Sequence, residues 1–152
     1  MDSFNPLAGE FWLTVGCALV CGGIVGLERQ LRGKAAGVRT STLVCLGTAV
    51  FIHLGSGLSG PGSDPNRVLG QLVTGIGFLG AGVMFSREGV VTGVTTAAVI
   101  WVLAAIGAAI GLGLYPGAIA LSVVTVGVLV GVESLESSVR RLTRGVHKRE
   151  EL

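Results

Sequence analysis

Asp64, in the polar stretch GPGSDPNRV, is one residue whose type could carry chemistry. One interpretation makes it the N-cap of a helix, because aspartate caps helices and Pro65 is favoured at the first helical position. The other makes it a cation ligand, or the ion-pair partner of Arg67 or of a more distant arginine. A single carboxylate is a weak Mg²⁺ site, although Mg²⁺ often keeps its waters and uses one or two protein ligands. No cofactor is therefore predicted, and binding of Mg²⁺ at Asp64 stays a hypothesis.

A second charged group brackets the first basic loop, where Glu28 and Arg29 end one apolar run and Arg39 and Thr40 open the next. Arginines at such boundaries commonly anchor lipid headgroups while their stems stay in apolar surroundings. Two alternatives stay open at this stage. Glu28 could form an ion pair with Arg39, or the start of the second helix could bind an anion with help from Thr40.

A few polar side chains lie within the apolar runs. Apart from the cysteines, His53 is the only titratable group well inside such a run. It could relay protons or bind a metal, or it could hydrogen-bond a neighbouring helix as a neutral side chain. Cys17 and Cys21 share a helix face, but no histidine or carboxylate lies at matching depth, so a metal site is not predicted there. Gln71 and Thr74 are predicted to tie helices together.

The sequence does not predict an enzyme. It contains no nucleophile beside a base, no phosphate-binding glycine loop and no paired carboxylates within an apolar run. The glycine cluster at 75–82 does not follow a strand, which argues against a nucleotide-binding fingerprint. A net charge of only +2 gives no indication of nucleic-acid binding.

Composition places these residues in a membrane. Half of the 152 residues are hydrophobic and 13% are charged, where a soluble domain carries roughly 25% charged residues. Apolar blocks of about 20 residues are typical of transmembrane helices. We predict an all-α polytopic membrane protein with a five-helix transmembrane domain over 1–132 and a basic amphipathic cytoplasmic tail over 133–152. The predicted helices span about 8–27, 40–57, 66–86, 94–112 and 114–132.

Charge predicts the orientation of these helices. Ten of the eleven basic residues fall in the first loop, the third loop and the tail, and Arg67 alone falls on the other side. The positive-inside rule therefore places the N-terminus outside and the C-terminus in the cytoplasm. The acidic start of the chain favours a mature first helix over a signal peptide.

The tail carries an apolar stripe at three- and four-residue steps, at Val132, Leu135, Val139, Leu142 and Val146. Arginines lie beside this stripe. The fifth helix could therefore continue past the membrane and meet anionic headgroups of the lipid bilayer. Alternatively, the tail could be a coiled-coil or partner-docking helix.

Small residues predict how the helices pack. Between helices in lipid, close backbone approach replaces the hydrophobic effect, and small residues at four-residue spacing allow it. This pattern predicts a Gly-rich, tightly packed bundle with the third helix near its centre, and a homodimer through small-residue faces. The predicted packing positions are Gly22, Gly26, Gly70, Thr74, Gly75, Gly77, Gly80, Gly82, Gly107, Gly111, Gly127 and Gly131.

Four stretches give the chain a family resemblance: GLERQ, GVRTSTLVCLG, DPNRVLGQLVTGIGFLGAG and GVTTAAVIWVLAAIGAAIGLGLY. In this order, over roughly residues 20 to 115, they resemble the MgtC/SapB family of bacterial inner-membrane proteins. The resemblance implies a five-helix membrane domain linked to growth at low magnesium and, in some members, to virulence inside host cells. It adds functional weight to Asp64. The family positions that the resemblance carries over are Glu28, Arg29, Arg39, Thr40, Asp64, Pro65, Arg67, the glycines from Gly75 to Gly82, Thr95, Thr96 and Trp101. Partners implied for the family include the F-type ATP synthase.

The resemblance also shapes the functional prediction. Many members continue into a soluble C-terminal domain, whereas this sequence stops some twenty residues after the fifth predicted helix. We predict a non-catalytic membrane protein that regulates membrane physiology under magnesium limitation through contacts with other membrane proteins. The alternative is a small Mg²⁺ transporter or channel that acts as a dimer, with Asp64 at its outer mouth.

Overall fold

A computed structural model describes residues 5–57, 65–87 and 90–147. Over these residues the chain forms five helices and one short hairpin. Helices α1 to α3 span Gly9–Leu31, Val38–Gly57 and Pro65–Gly82, and the strands β1 and β2 span Phe85–Arg87 and Val90–Thr92. Helices α4 and α5 span Val94–Gly111 and Tyr115–His147. The predicted all-α class is confirmed, and the hairpin is an addition to it.

Four of these helices are long and apolar enough to cross a membrane, which confirms a polytopic membrane protein. The candidate spans are Gly9–Leu31, Val38–Ser56, Val94–Gly111 and Tyr115–Leu135. Helix α3 is not among the four, because Arg67, Gln71 and five glycines lower the hydropathy of its 18 residues. A fifth crossing by α3 stays a prediction.

Helices α1 and α2 pack through two glycines of α1. A Cβ added to Gly22 would lie 2.6 Å from the Cα of Thr42, and one added to Gly26 would lie 2.6 Å from the Cα of Val38. No real Cβ is tolerated at such distances from a backbone atom. The two helix axes therefore come closer here than any larger side chain would allow.

Helix α2 packs in the same way against α4, further along its length. A Cβ on Gly107 would lie 2.5 Å from the carbonyl oxygen of Cys45, and one on Gly111 would lie 2.5 Å from that of Ala49. Helix α2 thus contacts both α1 and α4 at backbone distance. The buried apolar core lies along these contacts, at Ala18, Cys21, Val25, Cys45, Ala49, Leu103, Ile106 and Ile110.

The expectation that the third helix lies at the centre is wrong within this chain. Of the α3 residues 67–82, only Gly80 is buried, and its added Cβ would meet that of Ala97 on α4 at 3.7 Å. At the other end of α3, Val68 packs against Gly55 of α2. The remaining predicted packing glycines have nothing within 4 Å of an added Cβ: Gly70, Gly75, Gly77, Gly82, Gly127 and Gly131.

The third helix also ends earlier than the predicted residue 86. It stops at Gly82, and the chain then forms an antiparallel hairpin in which Phe85 pairs with Thr92. Gly93 follows the hairpin with φ +87°, and a Cβ there would collide with the carbonyl oxygen of Val83. Glycine is therefore required at the step from β2 into α4.

Helix α5 runs unbroken for 33 residues, past the predicted end of the fifth span at residue 132. An ion pair between Arg32 and Glu133 places residue 133 level with the C-terminal end of α1. The fourteen residues from there to His147 extend α5 by about 21 Å at 1.5 Å per residue. The division of the chain at residue 132 stays a prediction. Of the apolar stripe of the tail, only the side chains of Val132 and Leu135 are described, and both are exposed.

Candidate functional site

Arg29 connects three parts of the chain at one end of the bundle. It lies in the last turn of α1 and is only 4% exposed. Its Nη2 donates a hydrogen bond to the hydroxyl of Thr96 on α4 at 3.0 Å, and its Nε donates to the carbonyl oxygen of Ala35 at 3.2 Å. The candidates Arg29 and Thr96, which are 67 positions apart in sequence, therefore form one contact.

Glu28 forms a different ion pair from the one considered above. Its Oε1 lies 2.8 Å from the Nε of Arg32, the C-cap residue of α1, four positions further along the chain. Arg32 also pairs with Glu133 of α5. The alternative of a Glu28–Arg39 ion pair is thus wrong. Arg32 lies only four positions from Glu28, so local helical geometry alone brings these two side chains together. The second carboxylate oxygen of Glu28, Oε2, is buried without a hydrogen-bond partner.

Arg29 forms no ion pair with any carboxylate among the described residues. Its two hydrogen bonds go to neutral oxygens, a hydroxyl and a carbonyl. A buried charge is normally paired, since desolvation of an isolated ion is costly. The described residues therefore give the guanidinium two hydrogen bonds for its five N–H donors and no ion pair.

The first turn of α4 lies beside Arg29. Its N-cap is Gly93, which offers no side-chain hydrogen bond to the helix. The first intrahelical bond runs from the N–H of Ala97 to the carbonyl oxygen of Gly93 at 2.9 Å. The preceding N–H groups of α4 have no acceptor within the helix, and they carry the positive end of its dipole.

A cavity of about 760 Å³ opens at this end of the bundle and is termed the charged pocket. The first loop, the hairpin, α4 and α5 all contribute to it, so the predicted grouping of the first and third loops at one end is seen directly. The side of the membrane that this end faces stays a prediction. The lining residues are Arg29, Lys34, Val91, Gly93, Val94, Thr95, Thr96, Val128, Leu129, Val132 and Glu133.

The other charged candidates lie apart, along a cavity of about 920 Å³ between α2 and α3, the α2–α3 groove. Arg39 and Thr40 line it, and so does Arg67. Because Gly55 packs against Val68, the two helices run antiparallel and the two arginines lie at opposite ends of the groove. The lining between them is mostly apolar. The structure thus separates the predicted candidates into two sites.

Asp64 lies outside the described residues. Two further candidates, Trp101 and Thr74, do not line the charged pocket. Trp101 is 53% exposed on α4, and Thr74 donates to the carbonyl oxygen of Gly70 in its own helix at 3.0 Å. The prediction that the Thr74 side chain ties two helices together is therefore not met by this bond. Gln71 lines the α2–α3 groove.

Among the described residues, those considered for metal binding do not form a cluster. The sulfur atoms of Cys17 and Cys21 lie 3.9 Å apart on α1, and His53 is half-buried in α2. Within the described ranges no group of three or more histidine, cysteine, aspartate or glutamate residues could hold a metal ion.

Sequence reasoning missed Arg32, Lys34 and Glu133 as members of the site. The Glu28–Arg32 pair had a local signal, because opposite charges four residues apart on a helix attract. Glu133 also had one, since it is the first charge after the fifth apolar run. Its contact with Arg32, 101 positions away, had none.

Comparison with known proteins gives concordant results. The sequence model of the MgtC family matches residues 15–138. The chain is 43% identical over 130 residues to a protein of Escherichia coli K12 named "Putative magnesium transporter YhiD", covering 81% of this chain and 60% of that protein. It is 47% identical over 111 residues to protein MgtC of Brucella abortus, covering 73% of this chain and 46% of MgtC.

A third relative is protein MgtC of Salmonella typhimurium, at 47% identity over 113 residues, which covers 74% of this chain and 48% of MgtC. The chain thus spans about half of the length of both MgtC proteins and 60% of YhiD. No solved structure matches the chain.

Proposed function

Since this chain belongs to the MgtC family, we propose that it regulates membrane physiology under magnesium limitation by contacting other membrane proteins. It is a multi-pass protein of the bacterial inner membrane.

The exposed small-residue face of α3 is the observation that carries this proposal. Gly70, Thr74, Gly77 and Ala81 follow one another at three- and four-residue steps, and all four are exposed. In lipid, such a face lets another helix approach to backbone distance. Elsewhere in this chain the same device is used internally, at Gly107 and Gly111.

The occupant proposed for this face is a transmembrane helix of another membrane protein. The α2–α3 groove lies on another face of α3, lined by Val68, Leu72 and Leu79, and is therefore not part of this surface. An apolar helix with small residues of its own would match the small-residue face. The F-type ATP synthase, implied by the family resemblance, is one source of such a helix, and a second copy of this chain is the competing occupant.

Photo-crosslinking in native membranes tests the proposal. A photoreactive side chain would replace Val73, which is 42% exposed one turn before Gly77. We expect a cross-linked product with a different membrane protein, and we expect Gly77→Leu to weaken it about fivefold by holding the helices apart. Gly117→Leu is the matched control, because a Cβ there also meets open space but on α5.

Two outcomes would contradict the proposal. A product that contains only two copies of this chain would assign the α3 face to a homodimer. A product unchanged by Gly77→Leu would show that the small-residue face is not the contact surface.

Transport of Mg²⁺ is the second candidate, favoured by the name of YhiD. The lining of the α2–α3 groove argues against its being the path of Mg²⁺. Both of its charged residues are arginines, whereas cation pathways are lined by acidic groups. Magnesium flux into proteoliposomes that hold only this protein decides the question. Flux abolished by Asp64→Ala would support transport, and no flux in either orientation under an imposed potential would exclude it for this chain alone.

A further inference from the structure

The charged pocket carries an excess of positive charge. Arg29 and Lys34 contribute two positive charges to its lining, and Glu133 contributes one negative charge. Glu133 is already paired with Arg32, and no carboxylate among the described residues pairs with Arg29. A buried guanidinium in this state favours an anion from outside the chain.

The start of α4 points to the same ligand class. Its first N–H groups have no helical acceptor and no side-chain cap, and they lie beside the buried guanidinium of Arg29. Free N–H groups, a helix dipole and a guanidinium together suit the oxygens of a phosphate group. Thr95 and Thr96, in the first turn, add hydroxyl groups to the lining.

Apart from Glu133, the part of the pocket that α5 forms is apolar. Val128, Leu129 and Val132 line it, at the level where the candidate span Tyr115–Leu135 ends. Cationic and apolar lining in one pocket at a membrane boundary matches an anion that carries hydrocarbon. The volume, about 760 Å³, falls in the range of roughly 300–1,000 Å³ that is usual for small-molecule pockets.

We propose that the charged pocket binds a phosphate group, supplied either by the headgroup of an anionic phospholipid or by free phosphate. Arg29 would meet the phosphate oxygens from the buried side and Lys34 from the exposed side. This site is distinct from the α3 face, and the inference does not depend on the proposed regulatory contacts.

Lipid and phosphate binding to the full chain can be measured separately. Purified protein in neutral detergent would be mixed with phosphatidylglycerol or phosphatidylcholine, and retained lipid would be counted by native mass spectrometry. Inorganic phosphate would be titrated against the same protein in phosphatidylcholine nanodiscs and followed by ³¹P line broadening. The charge-removing variants are Arg29→Gln and Lys34→Gln, and the control is Arg39→Gln, which removes an exposed arginine of the α2–α3 groove.

We expect Arg29→Gln to weaken binding about tenfold and Lys34→Gln about threefold, the range for lost charged hydrogen bonds. Arg39→Gln should stay within about twofold, since it lines a different cavity. Selective retention of phosphatidylglycerol without phosphate binding would identify a lipid headgroup as the source. Phosphate binding that falls in the same two variants would identify free phosphate.

Three results would overturn the proposal. In the first, the unaltered protein retains both lipids equally and binds no phosphate. In the second, Lys34→Gln binds lipid and phosphate as well as the unaltered protein does. In the third, Arg39→Gln loses as much binding as Lys34→Gln. If Arg29→Gln fails to fold, the comparison of Lys34→Gln with Arg39→Gln decides the matter alone.

Discussion

Helices α3 and α4 carry similar small residues and use them in opposite ways. On α4, Gly107 and Gly111 lie against the backbone of α2, where an added Cβ would come within 2.5 Å of a carbonyl oxygen. On α3, Gly70 and Gly77 meet nothing within 4 Å. Glycine in one helix is therefore required by an internal neighbour, whereas in the other it leaves a surface open. The difference teaches that small-residue spacing identifies a contact face but not what covers it.

The largest expected effect is on the closed face. Gly107→Leu should destabilise the protein by about 3 kcal/mol, because the new side chain must displace the backbone of α2 at Cys45. Thermal unfolding of the purified protein in detergent measures this. A variant as stable as the unaltered protein would contradict the close α2–α4 contact.

The next effect concerns the end of the bundle where α1 meets α4. Arg29→Ala should cost about 2 kcal/mol, because it removes hydrogen bonds from a charged donor to Thr96 and to the Ala35 carbonyl. Arg67→Ala is the control on α3, where the exposed side chain should change stability by less than about 0.5 kcal/mol. Equal losses of stability in Arg29→Ala and Arg67→Ala would contradict the difference between the hydrogen-bonded end of α1 and the exposed helix α3.

A smaller effect is expected where α1 meets α5. Glu133→Gln should cost about 0.5 kcal/mol, because the ion pair with Arg32 is partly exposed and its attraction is screened. A double-mutant cycle with Arg32→Gln measures the coupling, which should shrink as salt is added. Coupling that is unaffected by salt would argue against an exposed ion pair at this position.

The smallest effect is on the open face and completes the comparison. Gly77→Leu makes the same change as Gly107→Leu but should shift stability by less than about 0.5 kcal/mol, since nothing lies within 4 Å of its Cβ. Thermal unfolding of the two variants side by side is the measurement. A large loss in Gly77→Leu would show that a second copy already covers α3 in the purified protein.

Local patterns accounted for part of the candidate site. Glu28 and Arg29 are candidates because they end an apolar run. The prediction that such arginines anchor lipid headgroups is wrong for Arg29, which is buried against Thr96 and Ala35. The Glu28–Arg32 pair was within reach of the sequence, since the two residues lie four positions apart at the end of α1. The hairpin was missed because its strands have only three residues each, too few for an alternating pattern to stand out.

The sequence by itself determined the membrane class, the number of helices and the grouping of the basic loops. Each of these follows from hydropathy and charge along the chain, which need no knowledge of neighbours. Only the tertiary structure decided that α4 is the most buried of the four candidate spans while α3 stays largely exposed, and that Arg29 meets Thr96 while Arg39 joins Arg67 along a separate groove. These contacts join residues far apart in sequence, and their partners depend on how whole helices pack rather than on any local spacing.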